Sequence, residues 1–298
     1  MFVYENIFKN DTEIKAFIHE AEQKYKNQVL KIANEIICTD HIRILTLSGP
    51  TCSGKTTTSY ILEHEIEKQG MTVKIISIDD FYRNRADISG AEKPDYESIA
   101  AIDFPVFQSC VDKILKRETA MLPLYDFVDG KRKGFEPYLP SDHEIIIFEG
   151  IQAIYPEILS ILPKDISKSI YISVDEDVNA YGTYFDKREI RFLRRLIRDF
   201  LFRNATPKKT LELWKGVVEN EDKNIIPNKK YADYIIDSYM SYELGVIKSY
   251  LLNTISYDLE NEEEEELYCS LKNKLENIID IPSRWVPEDS VFREFIGR

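Results

Sequence analysis

The sequence predicts an α/β fold: a mainly parallel sheet with helices on both faces. Three observations predict it. First, Gly49-Pro50-Thr51-Cys52-Ser53-Gly54-Lys55-Thr56 fits G-x-x-x-x-G-K-[ST], the phosphate-cradling P-loop. Second, the loop has the setting this motif requires. An apolar β-like run, Ile42 to Ser48, precedes it, and Thr57 to Gln69 follows with Ile61, Leu62, Glu65 and Ile66 at helical spacing. Third, short, largely apolar runs recur between helical stretches, as in a parallel sheet covered on both faces. Together they predict the P-loop NTPase arrangement.

Taken in order, residues 11–38 read as a helix. Ile14, Phe17, Ile18, Ala21, Tyr25, Val29, Leu30, Ile32, Ala33 and Ile36 recur mostly at three- and four-residue steps. After the loop and its helix come strand candidates Val73–Ile78, Glu144–Phe148, Ser169–Val174 and Tyr234–Ile236. The tail from 241 is helical, with Tyr242, Leu244, Val246, Ile247, Tyr250 and Leu251. Glu260 to Glu266 is acidic except at Asn261 and reads as a solvated face. No internal repeat or long Pro/Gly/Ser linker interrupts the chain.

Composition bounds the function. Of 298 residues, 43% are hydrophobic, ample for a core, and the net charge of −13 argues against a nucleic-acid binder. No apolar segment follows a basic start as in a secretory signal, and no run approaches the ~18 apolar residues of a membrane span. Cys38, Cys52, Cys110 and Cys269 lack metal-ligand spacing. A disulfide at Cys52 would block the loop, so a reduced, cytoplasmic protein is expected.

Chemistry is sought where strands end, because ligands of such sheets bind at the carboxyl edge. The loop amides and the positive end of the following helix form an anion site. Lys55 would bridge the outer phosphates of a bound nucleotide, and the Thr56 hydroxyl would reach Mg²⁺. Asp79-Asp80-Phe81-Tyr82 follows the second strand. An isolated aspartate there would read as a turn or cap, but two acids and two aromatics at a ligand edge point to a base facing an attacking hydroxyl. Glu149-Gly150 ends another strand in the pattern of a carboxylate that holds Mg²⁺. Lys187 to Arg203 is amphipathic: Arg191, Arg194, Arg195 and Arg198 share one face, opposite Phe192, Leu193, Leu196, Ile197, Phe200 and Leu201. Guanidinium forks suit phosphate oxygens, so this helix is expected to close as a lid over the triphosphate. The plainer reading is a solvated basic face. Asn228-Lys229-Lys230-Tyr231-Ala232-Asp233 lacks the Asn-Lys-x-Asp spacing of guanine recognition.

These residues resemble the uridine kinase branch of the uridine kinase and phosphoribulokinase family. The matching segments are Gly49–Thr56, Asp79–Tyr82, Leu122–Phe127, Phe148–Ile151, Arg191–Asp199 and Tyr231–Ile236, in the family's order over roughly residues 42 to 240. Ser238 to Ile247 and Val286 to Gly297 are similar to a bacterial subgroup in which a ligase-like module often precedes the kinase. The leading helix here stands in that place.

The resemblance implies an ATP-dependent, Mg²⁺-using kinase that phosphorylates the 5′-hydroxyl of a uridine- or cytidine-like nucleoside. It implies Asp79 as general base, and Asp103 as the carboxylate holding ribose hydroxyls. Tyr82, Tyr125 and Phe127 would surround the nucleoside with Ile151 nearby, and Thr56, Asp79 and Glu149 would lie on the metal side. Lys55, Arg195 and Arg198 would stabilise transferred charge. The loop from Gly49 through Thr56, with Thr57, Arg198 and Arg203, would hold the nucleotide, and Arg195 would also touch the acceptor. Three positions depart from the pyrimidine-kinase pattern: Gly130 for a base-reading His, Ala205 for a lid arginine, and Leu213 for a Gln. Lost polar partners weaken discrimination between related acceptors. A sugar phosphate or pantothenate-like acceptor, or a non-catalytic nucleotide-binding regulator, are the alternatives. The expected organisation is an N-terminal helical segment at 1–40, a kinase domain at 41–240 with its lid at about 183–212, and a helical, acidic extension at 241–298 packing on it. No membrane or nucleic-acid partner is expected, and a homo-oligomer is allowed.

Overall fold

A computed structural model describes residues 1–4, 8, 10–88, 96, 98–253 and 262–297. Its strands are β1 (Phe2–Tyr4), β2 (Ile44–Ser48), β3 (Thr72–Ser77), β4 (Ala120–Asp126), β5 (Lys131–Tyr138), β6 (Glu144–Glu149), β7 (Ser167–Ser173), β8 (Val178–Ala180), β9 (Thr183–Phe185) and β10 (Tyr234–Asp237). Its helices are α1 (Asp11–Ile37), α2 (Lys55–Glu67), α3 (Phe104–Leu115), α4 (Pro156–Leu159), α5 (Lys187–Phe202), α6 (Pro207–Asn220), α7 (Glu243–Asn253), α8 (Glu262–Glu276) and α9 (Arg293–Ile296).

Five strands form one parallel sheet in the order β10-β7-β2-β6-β3. Their apolar runs are near-continuous because both faces are covered. Side chains alternate across a strand, so consecutive residues enter different cores. Leu45, Leu47, Ile145, Ile147, Ile170 and Ile172 pack with α1, α2, α5 and α7. Ile44, Ile76, Ile146 and Phe148 pack with α3 and the hairpin of β4 and β5. The C-terminal residues Val291, Phe292 and Phe295 share the first of these cores with α1.

Helix α1 buries Ile18, Ala21, Tyr25, Val29, Ile32, Ala33 and Ile36, and the Asn10 side chain caps it by accepting from Thr12 and Glu13 N–H groups. The acidic run Glu260 to Glu266 lies partly outside the described residues, and its helical part belongs to α8.

The sequence reading misses two small sheets: the antiparallel β4–β5 pair, and β1-β8-β9. In the hairpin, Pro123 and Pro137 break the usual strand signal, and β5 is polar because it is largely exposed. Proline is tolerated there because a two-stranded hairpin has free edges. Its turn is held by Asp126, whose carboxylate accepts from Val128 and Asp129 N–H at 2.8 Å each. Strands β8 and β9 have three residues each, too short to show a period.

Candidate active site

Sheet order brings the sequence-predicted residues together. Strand β6 lies between β3 and β2, with Glu149 paired in register to Ser77 on one side and Leu47 on the other. The carboxyl ends of these strands therefore align Asp79, Glu149 and the P-loop side by side.

The loop is close-packed where it has glycine. A Cβ at Gly49 would lie 2.0 Å from the Ile172 carbonyl oxygen, and Gly54 adopts φ +93°, where only glycine is unstrained. Cys52 also has positive φ, at 58°. The Lys55 ammonium donates back to the carbonyls of Gly49 at 3.0 Å and Pro50 at 3.2 Å. Thr58 Oγ1 donates to the Gly54 carbonyl at 2.6 Å and lies 2.7 Å from the Tyr25 hydroxyl, tying the loop to α1. All four cysteines are free, with Cys52 and Cys110 buried.

Asp79 sits in a 3₁₀ turn after β3, where its N–H donates to Ser77 Oγ at 3.3 Å. Burial pushes its carboxyl pKa up, opposed by a hydrogen bond from Tyr82 and by the Lys55 charge. The Tyr82 hydroxyl donates to Asp79 Oδ1 at 3.0 Å, and Gln152 Nε2 donates to the Tyr82 hydroxyl at 3.2 Å. Burial also pushes Glu149 up, to about 7; Lys55 opposes the rise, and the Asp79 and Glu294 carboxylates add to it. Thr56 is exposed at the loop mouth.

Beyond Asp79, Tyr82 packs against Tyr96 (5.2 Å between ring centres), Tyr125 (5.7 Å) and Phe127 (6.4 Å). Phe127 is 56% exposed, so the box opens outward. Ile151 packs instead with the cluster of Ile154, Tyr155 and Tyr171, and its carbonyl accepts from Ser48 Oγ at 2.6 Å. Asp103 caps α3, accepting from Val106 N–H at 3.4 Å, and pairs with Arg132 at 2.9 Å. It lines a cavity of about 290 Å³ with Arg83, Asn84, Asp87, Pro105 and Arg132. Arg85 crosses the position that Gly130 leaves open: a Cβ there would meet Arg85 Nε at 2.6 Å. The Arg85 guanidinium donates to the Tyr96 hydroxyl at 3.0 Å and the Phe127 carbonyl at 3.2 Å.

The basic helix α5 differs from the expected lid. Arg191 and Arg194 are not on an open phosphate-facing or solvated face; they are 1% and 0% exposed. Arg191 pairs with Glu221 at 2.6 Å, and Arg194 with Glu243 at 2.7 Å. Each also grips the P-loop from behind: Arg191 donates to the Thr51 carbonyl at 3.3 Å and Arg194 to the Cys52 carbonyl at 3.2 Å. Their spacing places them on one helix face, but their partners come from elements distant in sequence. Arg195, Arg198 and Arg203 behave differently. All three converge on Asp199, at 3.2, 2.7 and 3.6 Å, leaving an excess of positive charge near Cys52. The sequence reading also misses Tyr96, Gln152, Arg132 and Glu294, which act through contacts that no local motif announces.

The residues present suit a nucleotide and its metal. Ser53 Oγ is buried in the loop and has no hydrogen-bond partner among the described residues. The cradle around Gly49 and Gly54 has no room for a Cβ. Among the described residues no group of three or more His, Cys, Asp or Glu gathers around a metal position. Magnesium held by few protein ligands and by phosphates needs no such cage.

A P-loop with acids at the neighbouring strand ends defines a phosphotransferase-type α/β protein. The model of the phosphoribulokinase / uridine kinase family matches residues 44–244, so the chain belongs to that family and is an ATP-dependent kinase. A uridine kinase of Deinococcus deserti is 28% identical over 204 residues, covering 66% of this chain and 89% of that protein. One from Listeria innocua is 32% identical over 197 residues, covering 65% and 85%. A solved structure described as a possible uridine kinase from Bacillus stearothermophilus aligns with TM-score 0.47 and 17% identity, covering 71% of this chain and 98% of that one. Among the described residues no helix is long and apolar enough to cross a membrane.

Proposed function

We propose that this kinase transfers the γ-phosphoryl of ATP to a primary hydroxyl of a small, ring-bearing acceptor of the nucleoside type. The observation that carries this reading is the half-buried Asp79 carboxylate, attracted by the Lys55 charge on one side and hydrogen-bonded at 3.0 Å to Tyr82 of the aromatic box on the other. A ring seated among Tyr82, Tyr125 and Phe127 would present its hydroxyl to Asp79, which orients it and accepts its proton as the bond to phosphorus forms. Lys55 swings from its own loop carbonyls onto phosphate oxygens. Arg195, Arg198 and Arg203 offset the charge developing there, while Arg191 and Arg194 keep the loop in shape. Thr56, Glu149 and Asp79 would hold Mg²⁺, which neutralises charge on the phosphates when bound. Closure over the site would exclude water, which otherwise hydrolyses ATP.

A second reading is favoured by one observation. Arg85 lies against Gly130, the position that the resemblance gives to a base-reading His, and a guanidinium suits a hydroxylated acceptor carrying an anionic group such as a sugar phosphate. The deciding experiment presents nucleosides, sugar phosphates and pantothenate-like alcohols with ATP and identifies products by mass spectrometry. A phosphorylated nucleoside supports the first reading. A bisphosphorylated sugar supports the second. ATP consumption without any phosphorylated alcohol refutes both.

A further inference from the structure

Helix α2 starts at Lys55 behind Gly54, which has no side chain to cap it. The cap comes from the far end of the chain. Glu294 Oε2 accepts from the Thr57 N–H at 3.2 Å and from Thr57 Oγ1 at 3.0 Å. The segment carrying Glu294 is seated firmly: Val291 Cγ2 would be 2.6 Å from a Cβ on Gly54, and the Phe295 ring lies 4.9 Å from the Arg194 guanidinium.

The first amides of a helix behind a P-loop are donors that nucleotide phosphates engage. An N–H is a single donor, and two anions cannot share it without repulsion. We propose that Glu294 is an affinity-setting residue of the nucleotide site, an internal carboxylate that occupies the Thr57 donors and must withdraw when phosphate arrives. The inference rests on the kinase reading above. A route for withdrawal is present: a cavity of about 670 Å³ borders Thr57 and Glu294, with Lys26, His64 and Lys68 in its wall. Glu294 can turn into that space, whose wall mixes Lys26, Lys68 and Arg293 with Glu65, Glu288 and Asp289. Nucleotide binding then loosens α9 from α2, and coupling of this kind is reciprocal.

The test is ATP binding with Mg²⁺ by titration calorimetry on the full chain. Glu294→Gln keeps the shape and removes the charge, so it guards against a folding failure of Glu294→Ala. Both variants are expected to bind about tenfold more tightly than wild type, within the usual range of site coupling. In wild type, saturating ATP is expected to speed amide hydrogen exchange over residues 290–297. Equal or weaker affinity in the Gln variant, or slower exchange on binding, overturns the proposal while leaving the kinase reading intact. Absence of ATP binding in both proteins overturns that reading and this one with it.

Discussion

Arg194 and Glu243 form an ion pair with both side chains fully buried, joined by contacts of 3.0 Å from Nε and 2.7 Å from Nη2 to the same carboxylate oxygen. The same guanidinium donates to the Ser238 hydroxyl and carbonyl and to the Cys52 carbonyl of the P-loop. Removing one partner leaves the rest of the network unpaired in the core. Arg194→Ala should therefore cost about 3–5 kcal/mol in urea unfolding. Arg194→Met with Glu243→Leu should recover much of that loss, since apolar replacements of a buried pair fill the space without desolvating charge. A single variant as stable as wild type would remove this pair from the account of the loop.

Asp79→Asn keeps the shape of the side chain and the contact with Tyr82 but removes the proton acceptor. Turnover should fall about 10²–10⁴-fold, the usual weight of a general base, with ATP binding retained. Steady-state rates beside calorimetric titration check this, and unchanged turnover would exclude Asp79 as the base.

The pH dependence of stability follows from Glu149. Its carboxyl rises from an ordinary 4.5 to about 7 in the fold because burial disfavours the charge. A raised pKa favours the protonated form when folded. Its contribution is thus fully present below about 4.5 and lost as pH rises through about 7. Asp79 beside it moves in the same direction, also from burial. Melting temperatures of the nucleotide-free protein should therefore fall over this window, and Glu149→Gln should flatten the fall without abolishing it. A variant with the wild-type pH profile would show that Glu149 is not the group responsible.

Gly130 has φ +65° and the Arg85 side chain lies against it. Gly130→Ala should cost about 1–2 kcal/mol from the left-handed backbone alone, read as a lowered Tm. Arg85→Ala in the same background relieves the side-chain contact but not the backbone strain, so it should restore only part of the loss. Full restoration would mean that the turn relaxes to another conformation.

The parallel sheet and the P-loop were legible because their signals are local: apolar runs, glycines at fixed offsets, and a helical period directly after the loop. Sheet order then carried Asp79 and Glu149 to the same edge, as acids that follow strands should be carried. The arginines of α5 were legible only by half. Three- and four-residue spacing tells which side chains share a face, but not that Glu221 and Glu243 stand opposite two of them, or Asp199 amid the rest. Asp103 pairs with Arg132, and the hairpin that brings Arg132 there is polar and interrupted by proline, so neither pattern marks it. Glu294 reaches Thr57 from 237 residues away, and nothing near either residue signals the meeting.

Two buried guanidiniums support the phosphate cradle from its outer side, at Thr51 and Cys52. Its curvature is consequently a property of the resting enzyme rather than something imposed by a guest. A visiting nucleotide meets a loop backbone already in shape, so little main-chain disorder has to be frozen at the encounter, and more of the attraction can be expressed as grip.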